Sequence, residues 1–356
     1  MGNLIDTDAK DLAEDATGFG KNHIVENASG RLYAGHINES DELEIHYSDN
    51  SGVAWTLDNT INDADLQQDF TMALASNGDL FVCVRLTDVH PVSAKIYKRV
   101  DSTTTWSAIL TETISTTTTR DDAIRCIIGY NQNNDYLYLI WLDVSQSGGS
   151  PLKIKYTDDK GSTWSSTVEY APVSSLNWAI DVAFYGVDFD TNDDMYVAYH
   201  WNYFRFNARR ALRIDSFNSD ATHDTKLVDT ETTGATYYYG GGFALDSNDN
   251  YWIAYYYDDL GTYKFNVDQN GSNELSVSYS AVDALKKGMI ELGIDNSNDV
   301  YATYVKESDD TAYLRKYDLS EDTWASELDL TQGDGFRCSF QQHSSSDNLE
   351  YVFYTD

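Results

Sequence analysis

Aromatic rings beside short acids and amides dominate the chemistry this chain can offer. It holds 27 Tyr, 13 Phe and 8 Trp, with 58 Asp and Glu against 24 Lys and Arg, a formal charge of −34. A flat ring next to Asp or Asn is what a sugar needs: a face on which its C–H groups stack and short polar groups for its hydroxyls. The runs that offer this are Tyr199 to Phe206, Tyr237 to Tyr239 and Tyr255 to Asp259. They supply Trp201, Tyr203, Arg205, Tyr237, Tyr239 and Tyr257 as candidate binding residues, for a glycan or, with the same composition, a protein. Strand alternation buries about half of such rings, so packing between sheets competes for them. Arg205, Arg209, Arg210 and Arg213 are the one basic cluster, which either pairs with acids or seats an acidic partner.

Metal chemistry has no signature of the usual kind. The 7 histidines show neither an H-x-x-x-H pair nor a His-Cys cluster, and no EF-hand loop spacing occurs, so no metal ligands and no cofactor are expected. Asp188, Asp190, Asp193 and Asp194, like Asp246 and Asp249, read as solvated hairpin ends, with weak Ca²⁺ binding as the alternative. Cys83, Cys126 and Cys338 have apolar flanks and read as buried thiols, pairing of two being the alternative. The acidity disfavours nucleic acid and anionic membrane surfaces, both of which need a basic footprint. No basic segment followed by an apolar one opens the chain, and no stretch is long enough to span a bilayer, so neither a secretion signal nor membrane insertion is expected.

What must position these residues is a repeat. A turn of Asn, Asp, Ser or Gly is followed by an apolar, aromatic strand starting at Leu32, Leu80, Tyr136, Met195, Tyr251, Val300 and Leu349, at spacings of about 50 to 60 residues. Another strand precedes each of most turns, with Gly and Ala that suit close backbone approach, and a third with period-two alternation follows: LEIHYSD, AKIYKRVD, LKIKYTDD, ALRIDSF, TYKFNVD and AYLRKYD. A fourth, outer strand completes the unit. Such units are four-stranded blades, and the expectation is an all-β, seven-bladed β-propeller, a six-bladed ring with an irregular cap being the competitor. LKKGMIEL and the first fifteen residues are the only helical candidates. The seventh unit stops after two strands, so residues 1–20 are expected to close the ring through a strand around Leu4 and Ile5, with 21–356 forming the propeller.

Two turns between third and outer strands stand out, Ser48-Asp49-Asn50-Ser51-Gly52-Val53-Ala54-Trp55 and Thr157-Asp158-Asp159-Lys160-Gly161-Ser162-Thr163-Trp164. Asn50 or Asp159 can accept backbone N–H groups, Gly52 or Gly161 supplies positive φ, and Trp55 or Trp164 buries its ring. Ser48 and Thr157 open the two copies. The pattern S/T-x-D-x-G-x-T-W resembles the Asp-box, the BNR repeat of the sialidase-like propeller superfamily. That resemblance implies a propeller whose members include hydrolases, lyases, lectins and structural proteins, so it leaves function open.

A sialidase of that superfamily grips a sugar carboxylate with an arginine cluster, and only Arg125 and Arg337 stand on inner strands here. The segments Asn22-His23-Ile24-Val25 and Gly35-His36 resemble BNR-type propeller polysaccharide lyases. That resemblance implies His23 as base or acid, His36 as its assistant, Arg125 or Arg337 as carboxylate clamp and a Tyr such as Tyr238 as remaining proton donor. In a polar strand entry His23 is otherwise a surface hydrogen-bonder, and His36 an ordinary strand-end residue. Together these features favour a non-enzymatic recognition or assembly module binding glycan or protein, with a lyase or glycoside hydrolase acting in a central cleft as the alternative. Acidity and the polar tracts suit an extracellular or virion-surface adhesion protein from a saline environment, with other virion proteins as further partners and the cytoplasm as the other location.

Overall fold

The structure is a computed structural model that describes residues 23–38, 40, 42–63, 66–86, 91–115, 125–142, 152–170, 179–203, 209–233, 237–259, 262–279, 285–306, 312–329, 336–342 and 349–355. Every regular element among them is a β-strand, and every pairing is antiparallel. The first sheet has the order β1 (Ile24–Glu26), β2 (Leu32–Ile37), β3 (Leu43–Ser48), β4 (Thr56–Ile61). The second is β5 (Leu66–Leu74), β6 (Leu80–Leu86), β7 (Val92–Val100), β8 (Thr105–Ser115), and the third β9 (Cys126–Asn131), β10 (Tyr136–Leu142), β11 (Leu152–Thr157), β12 (Val168–Tyr170). Then come β13 (Ala179–Phe189), β14 (Met195–Tyr203), β15 (Arg209–Phe217), β16 (His223–Thr233), and β17 (Tyr237–Leu245), β18 (Tyr251–Asp259), β19 (Thr262–Gln269), β20 (Ser272–Tyr279). A sixth sheet holds β21 (Leu285–Ile294), β22 (Val300–Lys306), β23 (Ala312–Asp318), β24 (Thr323–Trp324) and, also on β23, β25 (Leu328–Asp329). Finally β26 (Phe336–Gln342) pairs with β27 (Leu349–Thr355).

The central strands β2, β6, β10, β14, β18, β22 and β27 begin at the residues the turn pattern marks. Four of their entry turns share one device. Asp190 Oδ1 accepts the backbone N–H groups of Asn192 and Asp194, Asp246 Oδ1 those of Asn248 and Asn250, and Asp295 Oδ1 those of Ser297 and Asp299, all at 2.8–3.0 Å. Asn27 does the same for Ser29 and Arg31. One residue near the end of each of the first six entry turns takes positive φ: Gly30, Gly78, Asp135, Asp193, Asp249 and Asn298. Glycine pays no steric penalty there, and Asn or Asp tolerates the left-handed region better than other side chains. The acids at 190 and 246 are thus acceptors for their own hairpins.

LKKGMIEL is strand rather than helix, for it lies in β21. Ile290 and Leu292 are buried on one face and Ile290 pairs with Tyr304, so tertiary pairing overrides a short local preference. Residues 1–20, where the closing strand is expected, lie outside the described residues.

The chain divides into two compact units, one from Asn22–Asn62 and Ala235–Asp356, the other from Asp63–Gly234. In the first, β17 adjoins β21, β21 adjoins β26 and β26 adjoins β1. Its largest core cluster lies between the β17–β20 and β21–β25 sheets, around Trp252, Tyr256, Phe265, Ile290 and Tyr304. There β17 and β21 approach so closely that a Cβ on Gly242 would collide with the Leu292 amide and lie 2.8 Å from the Glu291 carbonyl carbon. In the second unit β9 adjoins β5 and β13, and one continuous cluster runs from Phe81 through Ile128, Leu139 and Trp141 to Val197 and Phe217. Gly129 meets the equivalent constraint there, since a Cβ would lie 2.7 Å from Val187 Cγ1. Cys83 and Cys126 are buried free thiols with sulfurs 3.9 Å apart.

Candidate functional site

On β18 the side chains of Tyr255 and Tyr257 share one face, and the register sets Tyr238 of β17 opposite Tyr257. Trp252, Ala254 and Tyr256 take the other face, packed on the β21–β25 sheet. The three tyrosine rings form a compact array, with centroids 5.7–6.1 Å apart and Tyr255 stacked on Tyr257. β19 completes it: Asn266 and Lys264 lie opposite Tyr255 and Tyr257. Tyr255 donates to Asp268 Oδ2 at 2.8 Å, Asn266 Nδ2 donates to the Tyr255 oxygen at 3.0 Å, and the Lys264 ammonium stands 5.7 Å from the Tyr257 ring centre. Burial pushes the Asp268 carboxyl above the ordinary range, against the hydrogen bonds from Tyr255 and Asn273. Tyr238 is buried, whereas Tyr257 and Lys264 are half-buried, so the array grades from a dry end to a wetter one.

The first sheet carries a different set. His36 lies opposite Glu44 and His46 opposite Ala34, which places all three side chains on one face. His46 Nε2 is 3.1 Å and His36 Nε2 3.9 Å from Glu44 Oε2. Asn38 Nδ2 donates to the other carboxylate oxygen at 3.0 Å. His23 pairs across from Gly35, whose N–H donates to its carbonyl, so alternation turns His23 to the opposite face from His36. The register therefore groups His36 with His46 and not with His23. The signal in the sequence was Glu44-Ile45-His46: two residues apart on a strand means one face, a spacing that helix-type metal motifs do not describe.

The other sequence candidates distribute as follows. Arg125, just before β9, is buried in the second unit, where its carbonyl accepts the Leu142 N–H at 3.3 Å. Arg337 lies on β26, Tyr237 and Tyr239 on β17, and Trp201 and Tyr203 on β14; only their backbones are described. Arg205 lies outside the described residues. Arg213 is buried on β15 with the equally buried Asp215, which accepts hydrogen bonds from Tyr199 at 2.6 Å and Tyr170 at 3.3 Å.

The two Asp-box-like turns share one hydrogen-bond plan. Thr157 Oγ1 accepts the Gly161 N–H at 3.0 Å, and Asp159 accepts the backbone and side-chain groups of Thr163 at 2.8 and 2.7 Å. Ser48 Oγ accepts the Gly52 N–H at 3.0 Å and Asn50 Oδ1 the Ala54 N–H at 2.8 Å. Gly52 and Gly161 take φ of 76° and 94°. The Thr163 N–H, with hydroxyls of Thr157 and Thr163, holds the Asp159 carboxyl down to about 2. Trp55 packs on Ile24, Leu32 and Ala34, and Trp164 on the core cluster of the second unit.

No family model matches the chain, and no curated protein matches its sequence. Solved structures match its fold. A polysaccharide lyase of family PL25, an ulvan lyase, is 12% identical, with 100% of this chain and 95% of that chain covered at a TM-score of 0.62. The lectin of Aleuria aurantia in complex with alpha-methyl-L-fucoside is 10% identical, over 93% of this chain and 99% of that one, at 0.51. A prolyl endopeptidase is 12% identical, over 89% of this chain and 43% of that one, at 0.50. At such identities the likeness establishes architecture alone: the chain is all-β and of β-propeller type.

Proposed function

We propose that this chain is a glycan-recognition module that holds sugar rings against the tyrosine array of β17 and β18. The observation that carries the reading is the graded array itself. Half-buried Tyr257 offers a ring edge and face, while Lys264, directly across on β19, stands beside it as a charged partner for hydroxyl or acidic groups. Buried Tyr238 and, behind it, Tyr255, locked by Asn266 and Asp268, keep Tyr257 in one orientation and lower the entropy cost of binding. The fold likeness to a fucoside-bound lectin and to a polysaccharide lyase agrees with a carbohydrate ligand. We read the scaffold as a seven-bladed Asp-box propeller, its last sheet completed by residues 1–20, because seven central strands recur and both turns carry the Asp-box hydrogen bonds. A place on a virion or other extracellular surface rests on composition alone.

The second reading is a polysaccharide lyase, favoured by the full-length likeness to such an enzyme. It cannot use His23 and His36 as a pair on one face, so its base would be one of the two. A single experiment separates the readings: the full chain is screened on a glycan array, and the hits are incubated with it while unsaturated uronate absorbance is followed. Binding without new absorbance, weakened about tenfold in Tyr257→Ala, is the expected result. Binding unchanged by that substitution overturns the site, and accumulating absorbance overturns the non-enzymatic reading.

A further inference from the structure

One position recurs on the central and third strands of the sheets. It comprises the fifth residue of the central strand, the residue opposite it, and the next same-face residue of the third strand. On β14 and β15 these are Tyr199, Arg213 and Asp215; on β18 and β19, Tyr255, Asn266 and Asp268; on β22 and β23, Tyr304, Tyr313 and Arg315. Each of these sets holds itself together with phenol hydrogen bonds, such as Tyr199 to Asp215 at 2.6 Å and Arg315 to the Tyr304 oxygen at 3.1 Å. In the first sheet the same position holds His36, Glu44 and His46. The repeat does not require imidazoles there, since phenols, amides and guanidinium groups fill it elsewhere.

The geometry points to a binding site for one divalent transition-metal ion of the zinc class, ligated by His36 Nε2, Glu44 Oε2 and His46 Nε2. Each of the three residues offers a donor atom within 4.8 Å of the other two. A tetrahedral ion with bonds of about 2.0–2.1 Å sets its donors roughly 3.4 Å apart. The two separations from Glu44 Oε2 bracket that value at 3.1 and 3.9 Å, and loading draws the imidazoles toward it. Asn38 holds the outer carboxylate oxygen and aims Oε2 at the imidazoles, the part an outer-shell residue plays. Both histidines are more than nine-tenths buried, at 5% and 6% exposure, which fixes their rings before an ion arrives. Two imidazoles and one carboxylate select Zn²⁺ and its neighbours over Ca²⁺ or Mg²⁺, which call for six or more oxygens. This donor set leaves a fourth position for water or an anionic ligand.

The test uses the full chain, stripped with a chelator and dialysed, then titrated with Zn²⁺ by calorimetry and with Co²⁺ by visible absorbance. One ion per chain and Co²⁺ ligand-field bands are expected. Glu44→Gln, His36→Gln and His46→Gln should each weaken Zn²⁺ at least tenfold, while His23→Gln, on the opposite face, leaves it unchanged, and Ca²⁺ does not compete. Circular dichroism verifies that each variant folds, and the Co²⁺ bands of the unsubstituted chain test the site even where one does not. Absence of stoichiometric Zn²⁺ heat and Co²⁺ bands overturns the site. Affinity that survives all three substitutions overturns it as well.

Discussion

The β1–β4 and β17–β20 sheets are built on one skeleton and diverge at matching positions. Where β17 has Gly242, opposite the fourth residue of its central strand, β1 is preceded by His23, opposite the fourth residue of its own. Gly242 is compelled by the close approach of β21, whereas the first sheet has room for an imidazole. Where β18 and β19 place Tyr255, Asn266 and Asp268, β2 and β3 place His36, Glu44 and His46. The third-to-outer turn differs too: an Asn-Gly pair at Asn270 and Gly271 in one, an Asp-box-like turn at Ser48 to Trp55 in the other. A blade thus prescribes which positions face which side, and leaves the chemistry at those positions free.

Six substitutions would break or sharpen that contrast, taken from the largest expected effect. Gly242→Ala forces a Cβ into the β21 backbone and should cost about 3 kcal/mol in denaturant unfolding, while His23→Ala should cost less. Equal losses would mean that the two positions are packed alike. Tyr255→Phe removes the hydroxyl that Asn266 donates to and Asp268 accepts from, leaving two polar groups in a half-dry site, a loss of roughly 1–2 kcal/mol. Ser48→Ala removes the acceptor of the Gly52 N–H and should cost about 1 kcal/mol in thermal unfolding, and Asn270→Gly, which removes the acceptor of the Tyr251 N–H, should cost no more, because glycine takes the φ of 48° at residue 270 without penalty.

The smallest effect is one of pH. Asn50→Asp recreates the acid found at Asp159, whose carboxyl is lowered from 3.8 to about 2 by the Thr163 N–H and the hydroxyls of Thr157 and Thr163. A depressed carboxyl stabilises fully above its unfolded pKa and loses that contribution as pH falls through the folded one. Acid titration of Asn50→Asp should therefore add a loss of stability below pH 3.8 that the unsubstituted turn lacks. An unchanged acid limb would show that the two turns are not equivalent.

The repeat was legible because hairpin chemistry is local. The Asn, Asp or Gly that takes positive φ and the acid that accepts its own turn's N–H groups lie within five residues of each other, so all seven central strands could be placed to the residue. The Asp-box-like turns were legible for the same reason, the side-chain hydrogen bonds of Thr157 and Asp159 running inside one short segment. Period-two alternation likewise implied which rings share a face, as with Tyr255 and Tyr257. Legibility failed at LKKGMIEL, where a short segment could not announce its pairing with β22.

Register between strands was the part that sequence left open. His23 and His36 look like neighbours along the chain, yet pairing turns them to opposite faces, while His46, ten positions beyond His36, joins it through β3. A one-residue slip would have reversed that grouping, because side chains alternate with a period of two. Local residues thus determined the turns and the strands. Which imidazole meets which carboxylate, and which glycine has no space for a Cβ, depended on hydrogen bonding and packing between segments that no local pattern encodes.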